Sequence, residues 1–285
     1  MALQALKLEN RALACAVLPE LGGKLSSLVN GATGREWLWT NPSLPRVRAE
    51  PGDSYVEKHD TGGIDDCFPE VHGTVYGRPW IVAAHGEREL ALAFEGEGWR
   101  FARRLRLHAE APRLELSYEV ENRSKAELPF VWCLHALFAT EPGMRIELPE
   151  ATPIRVAVSH GAPAGAELFA VPPAAAKPFA AKLFAGPFAR GEAALHYADR
   201  RESLRIRFDA PFLGIWLNHG RWSGRPDLPP YRNLALEPSI GDADALSEAL
   251  ARGTAGRLAA GARRSWSIGI ELGPWSRLPG AGGSP

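Results

Sequence analysis

The sequence has few cysteines and no excess of charge of either sign. Its three cysteines, Cys15, Cys67 and Cys133, form no Cys-x-x-Cys motif and cannot all pair with one another. We therefore expect no disulfide framework and a reducing, cytoplasmic location. The 33 basic and 33 acidic residues cancel, and no cluster of Lys and Arg is interleaved with aromatic residues. This argues against a nucleic-acid partner, because proteins that bind nucleic acids carry a basic surface.

Long apolar runs and internal repeats are also missing. No uninterrupted apolar stretch approaches the ~20 residues that a membrane helix needs, and no charged-then-apolar leader opens the sequence. We therefore expect no membrane partner. The sequence shows no repeats of solenoid length, no heptads and no alternation of strands with helices, which argues against solenoids, coiled coils and parallel α/β folds.

Short runs in which apolar and polar residues alternate dominate what is present. In the segment after the Ala111-Pro112 turn, for example, every second residue from Leu114 to Val120 is apolar. With 285 residues, of which 45% are hydrophobic, the chain can bury a full core. We predict an all-β protein with minor short helices, in which large antiparallel sheets pack face to face. Residues 1–273 are predicted to form a single domain and residues 274–285 a loose C-terminal tail.

The segment 231–246 places one carboxylate after a short apolar run. The alternation in residues 233–237 puts Glu237 on the more polar face of a strand. Pro238 cannot donate to a β-ladder, so we expect the strand to end there and to leave Glu237 at its terminus, where it can meet a ligand. A short helix over residues 243–250 is expected to follow, with Asp242 as its N-cap and Gly253 as its stop.

A second ionisable residue lies in a strand that is apolar on both faces. Residues 130–138 have the composition of a strand in the middle of a packed structure, and His135 is their only ionisable residue. One interpretation is a buried neutral histidine that satisfies backbone groups, and the other is a catalytic acid held on a rigid element. The residues alone leave both interpretations open.

Two further segments have both a structural and a functional interpretation. Gly62-Gly63 before Asp65 and Asp66, with His72 after them, indicates either a backbone that passes close to another group or a plain surface turn. Later in the chain, Trp216 and Asn218 share one face of a predicted strand. An aromatic plane covers sugar C–H groups and an amide reads hydroxyls, but core packing of Trp216 fits the pattern equally well.

Taken together, four pieces of the sequence resemble the aldose 1-epimerase (galactose mutarotase-like) superfamily. These pieces, which cover most of the chain in order and spacing, are residues 18–25 leading to 36–39, residues 62–73 with 78–80, the strand that carries His135, and residues 236–238 before 244–246. The resemblance implies a β-supersandwich whose concave face holds a monosaccharide. It also implies that no cofactor or metal is needed.

The resemblance implies roles for individual residues. His72 is similar to the substrate-binding histidine of the family, His135 to its general acid and Glu237 to its general base. No clear counterpart is found for the aspartate with which the best-known members grip sugar hydroxyls. Further candidates for lining a sugar site are Arg78, Trp80, Asp65, Asp66, Trp216 and Asn218.

The implied activity is the interconversion of α and β anomers of a small-molecule sugar by a monomer or a homodimer. One alternative is a hexose-6-phosphate 1-epimerase, in which an arginine cluster would hold the phosphate; the candidate arginines are Arg46, Arg48, Arg78 and Arg103. Another is a carbohydrate-binding module without catalysis. A metal hydrolase is disfavoured because no His-x-x-x-His spacing is present. A two-carboxylate glycosidase is disfavoured because only Glu237 is clearly placed.

Overall fold

The computed structural model describes residues 3–50, 53–197, 199, 202–276 and 278. Almost all regular structure in these residues is β-strand. The strands of the first half are β1 (Leu6–Glu9), β2 (Leu13–Leu18), β3 (Lys24–Asn30), β4 (Gly63–Cys67), β5 (Ile81–His85), β6 (Glu89–Gly96), β7 (Trp99–Leu107), β8 (Arg113–Asn122), β9 (Leu128–Phe130) and β10 (Trp132–Phe138). Those of the second half are β11 (Arg145–Glu147), β12 (Ile154–His160), β13 (Phe179–Ala185), β14 (Gly191–His196), β15 (Ser203–Phe208), β16 (Phe212–His219), β17 (Arg232–Ile240), β18 (Gly256–Leu258) and β19 (Arg263–Gly273).

The helices are short. The α-helices are α1 (Tyr55–Lys58) and α2 (Leu246–Ala251), and single 3-10 turns span Pro19–Leu21 and Gly165–Phe169. None of the helices within the described ranges is long and apolar enough to cross a membrane.

Two large antiparallel sheets make up most of the molecule, and β9 and β18 form a separate two-stranded sheet. A nine-stranded sheet has the order β1-β2-β3-β4-β10-β17-β16-β13-β12, and an eight-stranded sheet has the order β11-β14-β15-β19-β8-β7-β6-β5. Apolar side chains from strands of both sheets form one buried cluster, to which β8 contributes Leu114, Leu116, Tyr118 and Val120. The alternation of apolar and polar residues therefore has the predicted effect, and the predicted all-β architecture of packed antiparallel sheets is confirmed.

Strand β17 differs from the prediction, because it continues through Pro238 to Ile240. Its pairing with β16 is continuous and sets Pro238 opposite Leu213. On the β10 side, the register is interrupted between Ala235 and Ser239, and the missing N–H of Pro238 falls inside this interruption. The expected strand end is therefore wrong, and Glu237 lies inside a central strand.

The helix after β17 also differs from the prediction. It starts at Leu246 without a side-chain cap, and Asp242 instead accepts hydrogen bonds from Arg252 and Thr254. The carboxylate is bound by Arg252, at the far end of the helix, and by Thr254, so the predicted N-cap is wrong. The helix ends at Ala251, and Gly253 follows in the left-handed region with a φ of 71°, as expected of a helix stop.

Part of the segment predicted to be a loose tail is docked onto the molecule. The indole Nε1 of Trp275 donates to Glu147 at 2.8 Å, and the backbone N–H of Leu278 donates to the same carboxylate at 2.9 Å. A buried leucine and an indole offer apolar surface that a polar tail would lack. Residues 277 and 279–285 of the segment lie outside the described residues.

Candidate active site

One face of the nine-stranded sheet carries a row of ionisable side chains. Residues that stand opposite each other on neighbouring strands point to the same side of a sheet. The register sets Asp65 of β4 opposite His135 of β10, Gly214 of β16 opposite Glu237 of β17, and Lys182 of β13 opposite Trp216 of β16. These central strands thus bring distant parts of the sequence to one surface.

A pocket of about 200 Å³ lies over this surface. His135, Lys182 and Glu237 belong to its lining and come from sheet strands. Loops and α1 add further side chains to the lining, namely Tyr55, His72, Trp222, Tyr231 and Asp244. The pocket therefore combines ionisable groups with aromatic rings, which is the composition of a site for a polar ligand with apolar faces.

Glu237 is the carboxylate at the centre of the pocket and is only 1% exposed. Its Oε2 forms an ion pair with Lys182, and Lys182 also lies 3.3 Å from Oδ1 of the half-exposed Asp244. Its Oε1 has no hydrogen-bond partner and lies 3.7 Å from Nε2 of His135. Burial raises the pKa of Glu237 and Lys182 opposes this effect, so that Glu237 keeps a basic carboxylate with one free oxygen.

A glycine faces Glu237 for a steric reason. A Cβ at Gly214 would lie 2.7 Å from Glu237 Oε2 and 3.5 Å from Lys182 Nζ. Any other residue would displace the carboxylate from its lysine. Gly214 therefore makes the space in which the ion pair is held.

The two histidines of the pocket stand near each other on one side of Glu237. The ring of His72 stacks on Tyr55 with centroids 4.1 Å apart, and the rings of His72 and His135 lie 5.5 Å apart. Burial lowers the pKa of His72 to about 3, helped by His135, and burial lowers that of His135 to about 3, helped by Lys182 and Lys24. Both imidazoles are therefore neutral at neutral pH.

The opposite side of the pocket is aromatic and carries an amide. Trp216 packs edge-on against Trp222, with ring centroids 5.6 Å apart, and Trp222 lies 6.2 Å from Tyr231. Asn233 is 1% exposed, and neither polar atom of its side chain has a partner. A buried amide without partners costs about 1–3 kcal/mol for each unsatisfied group, so this side chain is suited to bind ligand hydroxyls.

Solved structures of several bacterial proteins share this architecture. The Slr1438 protein from Synechocystis sp. PCC 6803 has a TM-score of 0.71 and 16% identity, covering 96% of this chain and 97% of that one. A galactose mutarotase related enzyme from Lactobacillus acidophilus has a TM-score of 0.69 and 15% identity, covering 96% and 98%. A galactose mutarotase-like protein from Clostridium acetobutylicum has a TM-score of 0.67 and 14% identity, covering 94% and 95%. The chain has the galactose mutarotase-like fold.

No family model matches the sequence, and no curated protein matches it either. Sequence identities this low show a shared fold and not a shared reaction, since one fold hosts many functions. The function of this protein therefore rests on the residues of its own pocket.

The structure brings four of the predicted site residues together in the pocket: Glu237, His135, His72 and Trp216. Asn218 shares a sheet face with Trp216, as predicted, but its amide bonds the backbone of Arg221 and Trp222. It therefore orders the loop that carries Trp222 and does not line the pocket. Asp65 lies behind His135, with Tyr55 between them.

Asp66 is placed on the other face of its strand. It is 0% exposed, and its Oδ2 accepts a hydrogen bond from Arg103 at 2.7 Å while its Oδ1 accepts one from Trp132 at 3.0 Å. Successive side chains of a strand point to opposite faces, so Asp65 and Asp66 cannot both face the pocket. Asp66 belongs to the core between the sheets, and its placement corrects the expectation of a sugar contact.

Arg78 and Trp80 also lie away from the pocket. The indole of Trp80 donates to the carbonyl of Val75 at 2.9 Å and packs in the core, and the guanidinium of Arg78 stands 5.5 Å from the ring centroid of Phe94. The expectation that they line the sugar site is corrected by this packing.

The four arginines considered for a phosphate site do not assemble into one. Arg46 pairs with Asp60, Arg48 with Glu20 and Arg103 with Asp66, while Arg78 covers Phe94. None of these four belongs to the lining of the pocket. Within the described part of the chain, no cluster of three or more potential metal ligands is found either.

Several pocket residues were missed by sequence reasoning. Lys182 had the same signal as His135, because it is the only ionisable residue in the apolar strand Phe179–Ala185. Tyr55 lies among residues 41–60, which have no alternating pattern, and Asn233 lies on the strand face assigned to Glu237. Nothing in the spacing of these residues shows that they meet.

The two neutral histidines predict how stability depends on pH. Their pKa values of about 3 in the folded chain lie below the ordinary value of 6.5, so below pH 6.5 the unfolded chain binds protons that the folded chain does not. The free energy of unfolding should fall between pH 6.5 and 3, by up to ~1.4 kcal/mol per pH unit for each histidine. Urea denaturation across this range measures it.

The matched control for this pH dependence is the double variant His72→Gln/His135→Gln. Glu237, whose pKa is raised by burial, is present in both proteins, so the effect of burial on its titration is common to them. The variant should show a shallower dependence between pH 6.5 and 3. Identical slopes in the two proteins would contradict the assignment of both histidines as neutral.

Proposed function

We propose that this protein is an aldose 1-epimerase that acts on an unphosphorylated monosaccharide. The observation that supports it most is the pairing of Glu237 and His135 at the floor of the pocket. Glu237 Oε1 is free of partners and lies 3.7 Å from His135 Nε2, so one pyranose ring lying over both can meet a carboxylate and an imidazole together.

Anomerisation requires two coupled proton transfers. Glu237 takes the proton of the anomeric hydroxyl while His135 protonates the ring oxygen, so the C1–O5 bond breaks and an aldehyde forms. The C1–C2 bond then turns, the C5 hydroxyl attacks the other face of the aldehyde, and both protons return. No bond to a cofactor is made, and each positioned acid or base contributes typically ~10²- to 10⁴-fold.

The surroundings suit these roles. Lys182 favours the ionised form of Glu237 through their ion pair, and Glu237 in turn stabilises a positive charge on His135. The protonated form of His135 is a minor one at neutral pH, and its low pKa of about 3 makes it a strong proton donor when it forms. His72 stands beside it and orients the sugar ring.

The charges of the pocket favour a neutral sugar. Among the lining residues Lys182 is the cation, and it is already matched by Glu237 and Asp244. A phosphate would meet two carboxylates and no free arginine, which would cost binding energy. The aromatic side with Trp216 and Trp222 covers the C–H face of a sugar, and Asn233 binds its hydroxyls.

A substrate screen tests the proposal. Freshly dissolved hexoses and their 6-phosphates are followed by polarimetry and by anomer-exchange spectroscopy, with protein-free solutions giving the uncatalysed rates. We expect acceleration for at least one free hexose and a kcat/KM at least about 10-fold lower for its 6-phosphate, which corresponds to ~1.4 kcal/mol. Faster turnover of the phosphate would contradict the proposed substrate class.

We also propose the cytoplasm as the location. It is supported by the three cysteines, which are all buried free thiols, since a reducing compartment leaves thiols unpaired.

A further inference from the structure

Three buried polar residues stand behind His135, on the side away from Glu237. Lys24, Asp65 and Tyr55 are 4%, 1% and 4% exposed. Buried charges and hydroxyls cost free energy unless they bond one another. Only Tyr55 of the three reaches the pocket lining.

These residues form a continuous chain of hydrogen bonds that ends on the imidazole. Lys24 forms an ion pair with Asp65 and also donates to the carbonyl of Gly62 at 2.7 Å. The hydroxyl of Tyr55 donates to Oδ2 of Asp65 at 2.8 Å, and the same hydroxyl oxygen lies 3.3 Å from Nδ1 of His135. The carboxylate is the stronger acceptor and the closer one, so it takes the hydroxyl proton.

The direction of these bonds determines which ring nitrogen of His135 carries a hydrogen. With its proton given to Asp65, the Tyr55 oxygen can only accept at its other contact, and Nδ1 must therefore be the donor. Nε2, which faces Glu237 Oε1 across 3.7 Å, is then without a hydrogen in the neutral ring. The pattern has the same logic as a carboxylate that sets the tautomer of a catalytic histidine, with a tyrosine inserted between them.

We infer that Lys24, Asp65 and Tyr55 are positioning residues that fix His135 with its hydrogen on Nδ1, so that Nε2 is the nitrogen that exchanges a proton with the sugar. The second half of this inference rests on the proposed epimerase function. The first half, the tautomer, stands without it.

Tyr55 also places both histidine rings. His135 meets its ring edge-on, with an interplanar angle of 83°, and His72 stacks on it with an angle of 16°. Phenylalanine at position 55 would keep both ring contacts and remove only the hydroxyl. The variant Tyr55→Phe therefore separates the hydrogen-bond relay from the packing.

Nitrogen NMR of protein labelled at histidine tests the tautomer directly. In the parent, at a pH near 7, His135 should show a protonated Nδ1 and a bare Nε2. In Tyr55→Phe, we expect a mixture or a predominance of the other tautomer. Tyr76→Phe is the matched control, because the Tyr76 hydroxyl donates to the backbone of Asp53 and takes no part in the hydrogen bonds that lead to His135. It should leave the tautomer unchanged.

Activity gives a second readout for the same variants. Tyr55→Phe should lower kcat about 10-fold and leave KM within about two-fold, as for other residues that orient a catalytic group. Tyr76→Phe should leave kcat unchanged.

A parent protein with the hydrogen on Nε2, or an unchanged tautomer in Tyr55→Phe, would overturn the relay. A parent without epimerase activity whose tautomer nevertheless changes in Tyr55→Phe would support the relay while refuting the proposed function, so the two failures are distinguishable.

Discussion

The substitution Glu237→Gln is expected to reduce the catalysed anomerisation rate by about 10²- to 10⁴-fold and to leave sugar affinity within a few-fold. Glutamine keeps the size and one carbonyl oxygen of the side chain but cannot accept the proton of the anomeric hydroxyl. Lys182 retains Asp244 at 3.3 Å, so its charge is not left unpaired in the variant. Polarimetry of freshly dissolved sugar measures the rate, and calorimetry measures the affinity.

Two further proteins belong beside this variant. His135→Asn removes the acid, and its catalysed rate should fall by a similar factor. Glu271→Gln alters a carboxylate on the other sheet that is 38% exposed and pairs with Arg113. Its catalysed rate should equal that of the parent. Equal rates for the parent, Glu237→Gln and His135→Asn would eliminate the enzyme hypothesis.

The same measurements separate an epimerase from a carbohydrate-binding module. A binding module would take up sugar in the calorimeter but would leave the uncatalysed rate of anomerisation unchanged. It would also tolerate Glu237→Gln with little loss of affinity. The free oxygen of Glu237 and the neighbouring imidazole favour the epimerase, because a carboxylate and an imidazole that face each other can transfer protons as well as bind hydroxyls.

The fold could be predicted from the alternation of apolar and polar residues. When one face of a sheet is buried, every second residue of each strand lies in the core and is apolar. Strand β8 shows this, since its buried and exposed positions follow the sequence pattern directly. The ends of individual strands were harder to predict than their existence. Pro238 would mark a strand end only if the ladder needed its missing N–H. The pairing with β16 continues through Pro238, and the register with β10 is interrupted there, so the strand tolerates the proline.

The site could be predicted where an ionisable residue lies in an otherwise apolar strand. Glu237 and His135 are ionisable residues in apolar strands, and this local contradiction singles them out without any knowledge of their partners. Lys182, in the apolar strand Phe179–Ala185, carries the same signal. By contrast, the roles of Asp65, Asp66 and Tyr55 depend on which distant side chain each one meets, and no local pattern contains that information.

Breaking the ion pair between Asp66 and Arg103 is expected to have the largest effect on stability. Asp66→Leu should lower the free energy of unfolding by about 3–5 kcal/mol, because it leaves the guanidinium of Arg103, which is 2% exposed, buried without its carboxylate. Urea denaturation measures the loss. Because Asp66 points away from the pocket, the sugar affinity of the fraction that remains folded should not change.

The controls test whether the loss comes from an unpaired buried charge. The double variant Asp66→Leu/Arg103→Met removes both charges and should recover much of the stability, since two apolar side chains can replace a buried pair. Glu127→Ala breaks the exposed pair with Arg257, whose side chains are 50% and 56% exposed, and should cost less than ~1 kcal/mol. A small loss of stability in Asp66→Leu together with a large loss of sugar affinity would contradict this prediction and indicate that Asp66 contacts the sugar.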